Sequence, residues 1–372
     1  IWVGTAESLR LVTHSGAGAP GAGNAYFRSF NNLCLNETGQ VAFLAALKGA
    51  SVTTDNDQGV WSGESGSLTM VVRKGLATTS THYAIVTTDR PALDALSLND
   101  NGRVMVRAQF PPTVTQITEP SGATGTQVRY NYGYFMQPSV SSGPLVLRPG
   151  DRAIGSHDFE YLNEPSFNSN NAFAFAASYS TQHDVRDSGI WNHYDDRHRA
   201  ITFEDVNPPG TSPGVEYNDL TRVKVALNSQ NKVAFKAGLR GSGVTSTNNS
   251  GIWTDAGEDL TLVVRLGDSA AGAPGTTYSY LGNCLFNDSG DVAFMATLAG
   301  NGVVSGNDLG IWTTREGVLT LVVREGDVYE VAPGIFRTIS ELKPNFAFNN
   351  MGQLAFLARF NDGSTGLILV TP

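Results

Sequence analysis

Apolar residues along this chain fall in short runs of about four to eight, rich in Val, Ile, Leu, Phe, Thr and Trp and bounded by Gly, Asn, Asp or Pro. That is the spacing of β-strands joined by turns. Four such runs follow one another at 251–254 (GIWT), 259–265 (DLTLVVR), 278–286 (YSYLGNCLF) and 291–298 (DVAFMATL). None has helical periodicity. Several are apolar at consecutive positions, as in 319–323 (LTLVV), so both faces of the strand need cover. Small sheets that stand against one another around a ring meet that need.

The group recurs. The signature Asn-x-x-Gly-x-Val-Ala-Phe appears at 36–43 (NETGQVAF), 228–235 (NSQNKVAF), 287–294 (NDSGDVAF) and 349–356 (NNMGQLAF), with degenerate copies at 99–106 (NDNGRVMV) and 168–175 (NSNNAFAF). One supersecondary unit of about 60 residues is thus repeated six times. The pattern predicts an all-β protein, a six-bladed β-propeller of four-stranded antiparallel blades. Such an array is one cooperative domain, here residues 1–372, with units opening near residues 1, 60, 133, 190, 252 and 311.

The turn residues carry their own expectations. The fourth signature position is Gly39, Gly102, Asn171, Asn231, Gly290 and Gly352, the two residue types that most readily take positive φ, and the leading asparagine suits an Asx-turn. Arg148–Asp151, Arg265–Asp268 and Arg324–Asp327, each pair spanning a glycine, with a partial copy at Arg73-Lys74-Gly75, read as ion pairs within a turn. The Ala-Pro-Gly triplets at Ala19, Ala273 and Ala332 suit type II turns. Trp2, Trp61, Trp191, Trp253 and Trp312, with Tyr134 or Phe135 in the third unit, read as packing between blades rather than as a sugar-stacking row.

Composition narrows the function. Of the 372 residues 41% are hydrophobic, only 16% are charged and 41 are glycine, as many short strands require. The net charge is −9 and Lys and Arg form no run, which argues against nucleic acid or an anionic lipid surface as partner. The longest apolar stretches, such as 41–47, fall far short of the roughly 20 residues of a membrane helix. A first residue Ile1, with no signal-type leader, suggests a processed, secreted form. Cys34 and Cys284 precede the signature in the first and fifth units, too far apart around a ring for a disulfide, and are expected to be buried, inert thiols.

Counting Trp strands leaves a surplus. Six open complete units, and 366–370 (GLILV) resembles a seventh, competing with residues 1–4 for the place beside 353–359. Either one terminus lies as an extra edge strand, or it adds to the sheet of another molecule, giving a homo-oligomer or filament through strands 1–4 and 366–370.

The signature, with Gly-Ile-Trp and Leu-Val-x-Arg-x-Gly between copies, resembles the bacterial choice-of-anchor tandem NxxGxxAF repeat proteins from Trp2 to Val370. The resemblance implies an exported protein attached to a cell surface, and no chemistry. The second and third units depart most, with Met105-Val106 in place of Ala-Phe and an insertion at 111–131 that reads as a surface loop.

No catalytic residue is predicted, since nucleophile-elbow, zincin, phosphate-loop and CxxC patterns are all missing. His183, His193 and His198 share a unit, the last two flanking Asp195-Asp196, which would suit a transition metal. Asp55-Asn56-Asp57 and Asn307-Asp308 offer oxygens for calcium, although turn chemistry explains them equally. Of the sequons at Asn36, Asn248 and Asn287, only Asn248 lies outside the signature. The expectation is a non-enzymatic extracellular structural or interaction module without cofactor, the alternatives being a carbohydrate-active enzyme (polysaccharide lyase or glycosidase) or a lectin-like adhesin.

Overall fold

The computed structural model describes residues 1–5, 8–75, 93–118, 124–136, 145–154, 157–180, 186–195 and 197–371. The secondary structure of these residues is all β, and the chain divides into two compact units, Ile1–Glu160 and Tyr161–Pro372. Sheets are antiparallel, and a regular one has four strands, here a to d in chain order. Unit 1 holds sheet I (Tyr26–Leu35, Val41–Lys48, Gln58–Gly63, Thr69–Arg73) and sheet II (Leu93–Leu98, Val104–Thr118, Thr124–Met136, Leu145–Leu147). Strand His157–Leu162 spans the division, and sheet III continues in unit 2 through Phe173–Ser180, Arg186–Tyr194 and Arg197–Phe203.

Sheet IV has a split first strand (Val215–Tyr217 and Val225–Leu227), then Val233–Gly241, Ser250–Thr254 and Thr261–Arg265. Sheet V is Thr276–Phe286, Val292–Gly300, Leu309–Arg315 and Val318–Arg324. Sheet VI is Ile335–Phe348, Leu354–Phe360 and Thr365–Val370, with Val328–Ala332 paired to the outside of its first strand.

The expected strands form, but their grouping is out of phase by two. The Trp strand is the third of a sheet, not the first: Trp253 pairs with Phe235 and Trp312 with Phe294, both on the preceding signature strand. Among the described residues the sheets number seven, where six were expected. Among the same residues Trp2–Thr5 pairs only with Ser8–Leu11 and makes a separate two-stranded sheet holding the c and d positions alone. The c position of sheet VI belongs to Thr365–Val370, which pairs along Leu354–Phe360 from Leu354↔Val370 to Arg359↔Thr365. The apparent surplus strand is therefore a regular third strand. The insertion, read as a loop, instead lengthens the b and c strands of sheet II into a ribbon that pairs out to Thr118↔Thr124, with residues 119–123 outside the described set.

Within each unit the sheets pack in one sense. One face of sheets I, IV and V carries the c-strand Trp with the signature Phe, Phe135 with Val106 taking these places in sheet II and Ile368 with Phe356 in sheet VI, and it covers the Ile or Val face of the sheet before it. Trp312, Phe294 and Tyr278 of sheet V share a core with Ala234, Ile252 and Val264 of sheet IV. Sheet VI puts Leu354, Phe356 and Phe360 on Ile311 and Val323 of sheet V. In unit 1, Phe135 and Val106 of sheet II meet Leu44 and Val60 of sheet I, while Trp61 and Phe43 of sheet I meet Ile1 and Val3 of the two-stranded sheet. Each of the four buried indoles lies over the glycine two residues before it; a Cβ on Gly310 would sit 2.7 Å from the Trp312 ring. That close approach explains the Gly of Gly-Ile-Trp.

Polar groups lock the same seams. The signature asparagine accepts backbone N–H groups of its own turn at Oδ1, as Asn228 does from Gln230 and Lys232 at 3.0 Å. Its Nδ2 donates to the carbonyl of the next sheet's signature asparagine: Asn36 to Asn99 (3.0 Å), Asn168 to Asn228 (2.7 Å), Asn228 to Asn287 (3.2 Å) and Asn287 to Asn349 (3.4 Å). The fourth position has φ between 63° and 86° in all six copies, as expected. Removing the Asn228 amide leaves buried turn groups without partners, each costing roughly 1–3 kcal/mol. Asn349 instead turns its Nδ2 to Gln353 of its own turn. Urea denaturation should therefore show Asn228→Ala to be more destabilising than Asn349→Ala.

Candidate functional site

Most residues that invited a functional reading are committed to the scaffold. Trp61, Trp191, Trp253 and Trp312 are fully buried, and the indoles of Trp61, Trp253 and Trp312 donate to the carbonyls of Pro20, Pro209 and Ala271. Trp2 departs from the expectation and is 62% exposed. The Ala-Pro-Gly triplets form turns, with Gly21, Gly275 and Gly334 all at positive φ. Within the Arg-x-Gly-Asp corners only Arg148 pairs with its aspartate, at 3.2 Å. In all three the aspartate accepts the arginine backbone N–H, and in the other two the arginine Nε crosses to a loop carbonyl: Arg265 to Asn248 and Arg324 to Asn307.

That loop is also where the calcium and glycan readings fell. Asn56, Asn248 and Asn307 occupy equivalent places, each accepting a backbone N–H three residues back at Oδ1 and donating Nδ2 to a carbonyl five residues back. Asp57 is paired with Lys74 at 3.3 Å. The amide of Asn248 is thus part of a loop staple, and the residue is half-exposed. Asn36 and Asn287 are buried.

His193 and His198 face each other across a hairpin, Nδ1 to Nδ1 at 3.2 Å, with His193 stacked on Phe173. His82, His183 and Asp196 lie outside the described residues. No cluster of three or more His, Cys, Asp or Glu able to hold a metal occurs among the described residues. Both cysteines are thiols. Cys34 is half-buried, not buried as expected, and donates to the Leu96 carbonyl. Burial pushes the Cys284 thiol up to about 12, so it is protonated at neutral pH and a poor nucleophile. An alkylating reagent is expected to modify Cys34 in the folded protein and Cys284 only on unfolding, as peptide mass mapping would show.

Two convergent side-chain groups stand out among the described residues of unit 2, and the sequence reading missed both because none of their members belongs to the repeated signature. The first is an ion-pair hub. The Arg240 guanidinium meets Glu204 at 2.8 Å, Glu216 at 3.3 Å and also Asp205. Glu204 further accepts from Ser188, and the nearby Tyr179 phenol donates to Asp187 at 2.8 Å. Burial first, and then that bond, push Tyr179 above its ordinary value. These groups satisfy one another.

The second is a cavity of about 360 Å³ beside the first strands of sheets V and VI, with Tyr280, Phe346, Met295 and Cys284 on its apolar side and Lys224 and Asn345 among its polar groups. Tyr280 is exposed, and Lys236 Nζ lies 4.8 Å from its ring centre. Desolvation lowers the Lys236 amine. The arrangement offers a ring face and ammonium groups to a ligand, without a pair of carboxylates on its walls.

Glu325 belongs to the last Arg-x-Gly-Asp corner and is buried, with Oε1 accepting the Leu342 N–H at 2.8 Å. Desolvation raises its pKa, so the folded state keeps this proton to a higher pH than the unfolded chain. Stability should then fall as pH rises from the ordinary carboxylate range through the raised value. Glu325→Gln retains the acceptor and removes the charge. Urea denaturation across pH should show equal or greater stability at neutral pH and a flatter slope in the weakly acidic range.

The fold and the seams define a repeat protein of stacked four-stranded antiparallel sheets. The chain belongs to a family of unknown function, DUF7453, whose model matches residues 1–122 and 120–371. No curated protein matches it. Among solved structures it is similar to the β-propeller domain of the Trilobed protease from Pyrococcus furiosus, with 8% identity, 92% of this chain and 82% of that chain covered, and a TM-score of 0.45. A Pyrococcus horikoshii acylaminoacyl peptidase is 10% identical over 92% of this chain and 44% of its own, with a TM-score of 0.45, so this chain spans less than half of that enzyme. The Penicillium chrysogenum α-L-arabinanase complexed with arabinobiose is 10% identical over 91% and 92%, with a TM-score of 0.36. No helix among the described residues is long and apolar enough to cross a membrane.

Proposed function

We propose that this chain is a non-enzymatic structural or interaction module of propeller type, exported to a cell surface as in the choice-of-anchor NxxGxxAF repeat proteins, and that it associates with copies of itself. One observation carries the reading. Most of the residues that recur from unit to unit are spent on fastening the fold, from the asparagine ladder between sheets to the indole–carbonyl bonds. A sequence that repeats its fastenings, and varies the rest, is built to extend a surface.

The cavity at Tyr280 supports a second reading, a carbohydrate-directed activity or lectin-like binding. An exposed ring beside ammonium groups suits a sugar carrying a carboxylate or sulfate. A panel of neutral and acidic polysaccharides separates the two readings. The module reading expects no turnover of any of them; turnover lost in Tyr280→Ala would replace it with the enzyme. Binding without turnover, lost in the same variant, would establish the lectin-like form.

A further inference from the structure

Sheet III departs from its neighbours at the end of its c–d hairpin. The residue two beyond the c-strand Trp is Asp255 in sheet IV and Thr314 in sheet V, and in both its side chain accepts the backbone N–H of the signature valine, Val233 or Val292. Opposite Thr314 on strand d stands Leu319, which packs on the core of its seam. In sheet III both places are histidine, His193 two residues beyond Trp191 and His198 directly across from it. An imidazole has replaced the fastening residue and another the packing residue.

The two rings converge. Their centres are 4.6 Å apart and their Nδ1 atoms 3.2 Å apart. Phe173 stacks on His193 at 4.5 Å, and Phe175 meets His198 edge-on at 5.8 Å, so both imidazoles are held in place from one side. These four residues lie on adjacent strands of one sheet in unit 2. Without a metal, the Nδ1–H of one ring can donate to the Nδ1 lone pair of the other. An ion about 2.0–2.1 Å from each nitrogen would bridge the 3.2 Å gap at an angle of about 100°. That lies between the octahedral and the tetrahedral angle.

The geometry points to His193 and His198 as a two-imidazole chelate for a divalent transition metal. Each ring gives the ion its Nδ1 lone pair and keeps one proton at Nε2, so two neutral imidazoles displace two waters with no change of oxidation state. Among the described residues no group of three such ligands forms, and water completes the shell. Imidazole suits copper, nickel and zinc, and with only two protein nitrogens the affinities should follow the general series, copper above nickel and zinc. The site goes beyond the module reading and does not depend on it.

Titration calorimetry of the whole chain with copper(II), nickel(II) and zinc(II) should show one dominant site, tightest for copper. Electron paramagnetic resonance of the parent chain loaded with one equivalent of copper should show splitting from at least two imidazole nitrogens, a readout that needs no variant. His193→Phe keeps a ring against Phe173, and His198→Leu restores the residue type of Leu319. Each should weaken the metal by roughly 100-fold, because a single ligand loses the advantage of two held at one point. Saturating metal should raise the thermal midpoint of the parent chain and not that of either variant. His14→Gln, at an exposed histidine of unit 1, should leave binding unchanged. A parent chain that binds none of the three ions overturns the inference, as does a copper spectrum with fewer than two nitrogens. One-site binding that survives both substitutions also overturns it and leaves the two histidines as a hydrogen-bonded pair.

Discussion

The structure rests on the cost of wetting a sheet that is apolar on both sides. Signature strands such as Val41–Lys48 and Phe173–Ser180 are buried at nearly every position, not at alternate ones. A face made by a Trp, a Phe and two or three aliphatic side chains leaves several hundred square ångströms to cover, and at about 25 cal/mol per Å² that is several kcal/mol for each seam. No single sheet of this kind is stable alone, so each is folded by its neighbours.

Apolar contact gives such a stack its cohesion but not its register, because hydrophobic burial is non-directional. The asparagine ladder supplies direction. One amide satisfies its own turn through Oδ1 and the next sheet through Nδ2, so a single residue fixes both the entry of a strand and the offset between sheets. The neighbouring position adds rungs in which a backbone N–H meets the next sheet's side chain, as from Ser229 to Asp288 and from Asp288 to Asn350. Glycine completes the geometry by letting the indole lie flat over the strand that carries it, and the Pro209 or Ala271 carbonyl then takes the one polar atom that the indole buries.

Much of this was legible from spacing. Strand identity, the positive φ at the fourth signature position and the structural use of Trp253 and Trp312 all follow from local patterns, because turn chemistry and apolar runs are local properties. The phase of the sheets was not, since the Trp strand could pair with the strand before it or the one after, and only long-range packing decides. The same ambiguity made Thr365–Val370 look surplus. The insertion in sheet II read as a loop because its Thr, Pro and Gly content hides a β-ribbon. The Tyr280 cavity had no sequence signal, as Lys224, Lys236, Tyr280 and Phe346 come from three different repeats and none belongs to the signature.

A scaffold that builds stability from sheet-to-sheet seams should show it as direct energetic coupling between neighbouring repeats. The most direct measurement is a double-mutant cycle across the seam between sheets IV and V, combining Ile252→Ala with Trp312→Phe and reading stability by urea denaturation. The account predicts a coupling of about 1 kcal/mol or more between these residues, well above the roughly 0.3–0.5 kcal/mol expected of independent sites. Additive effects would contradict it, since they would mean that each sheet holds its own fold and the Trp face does not support the Ile face beneath it.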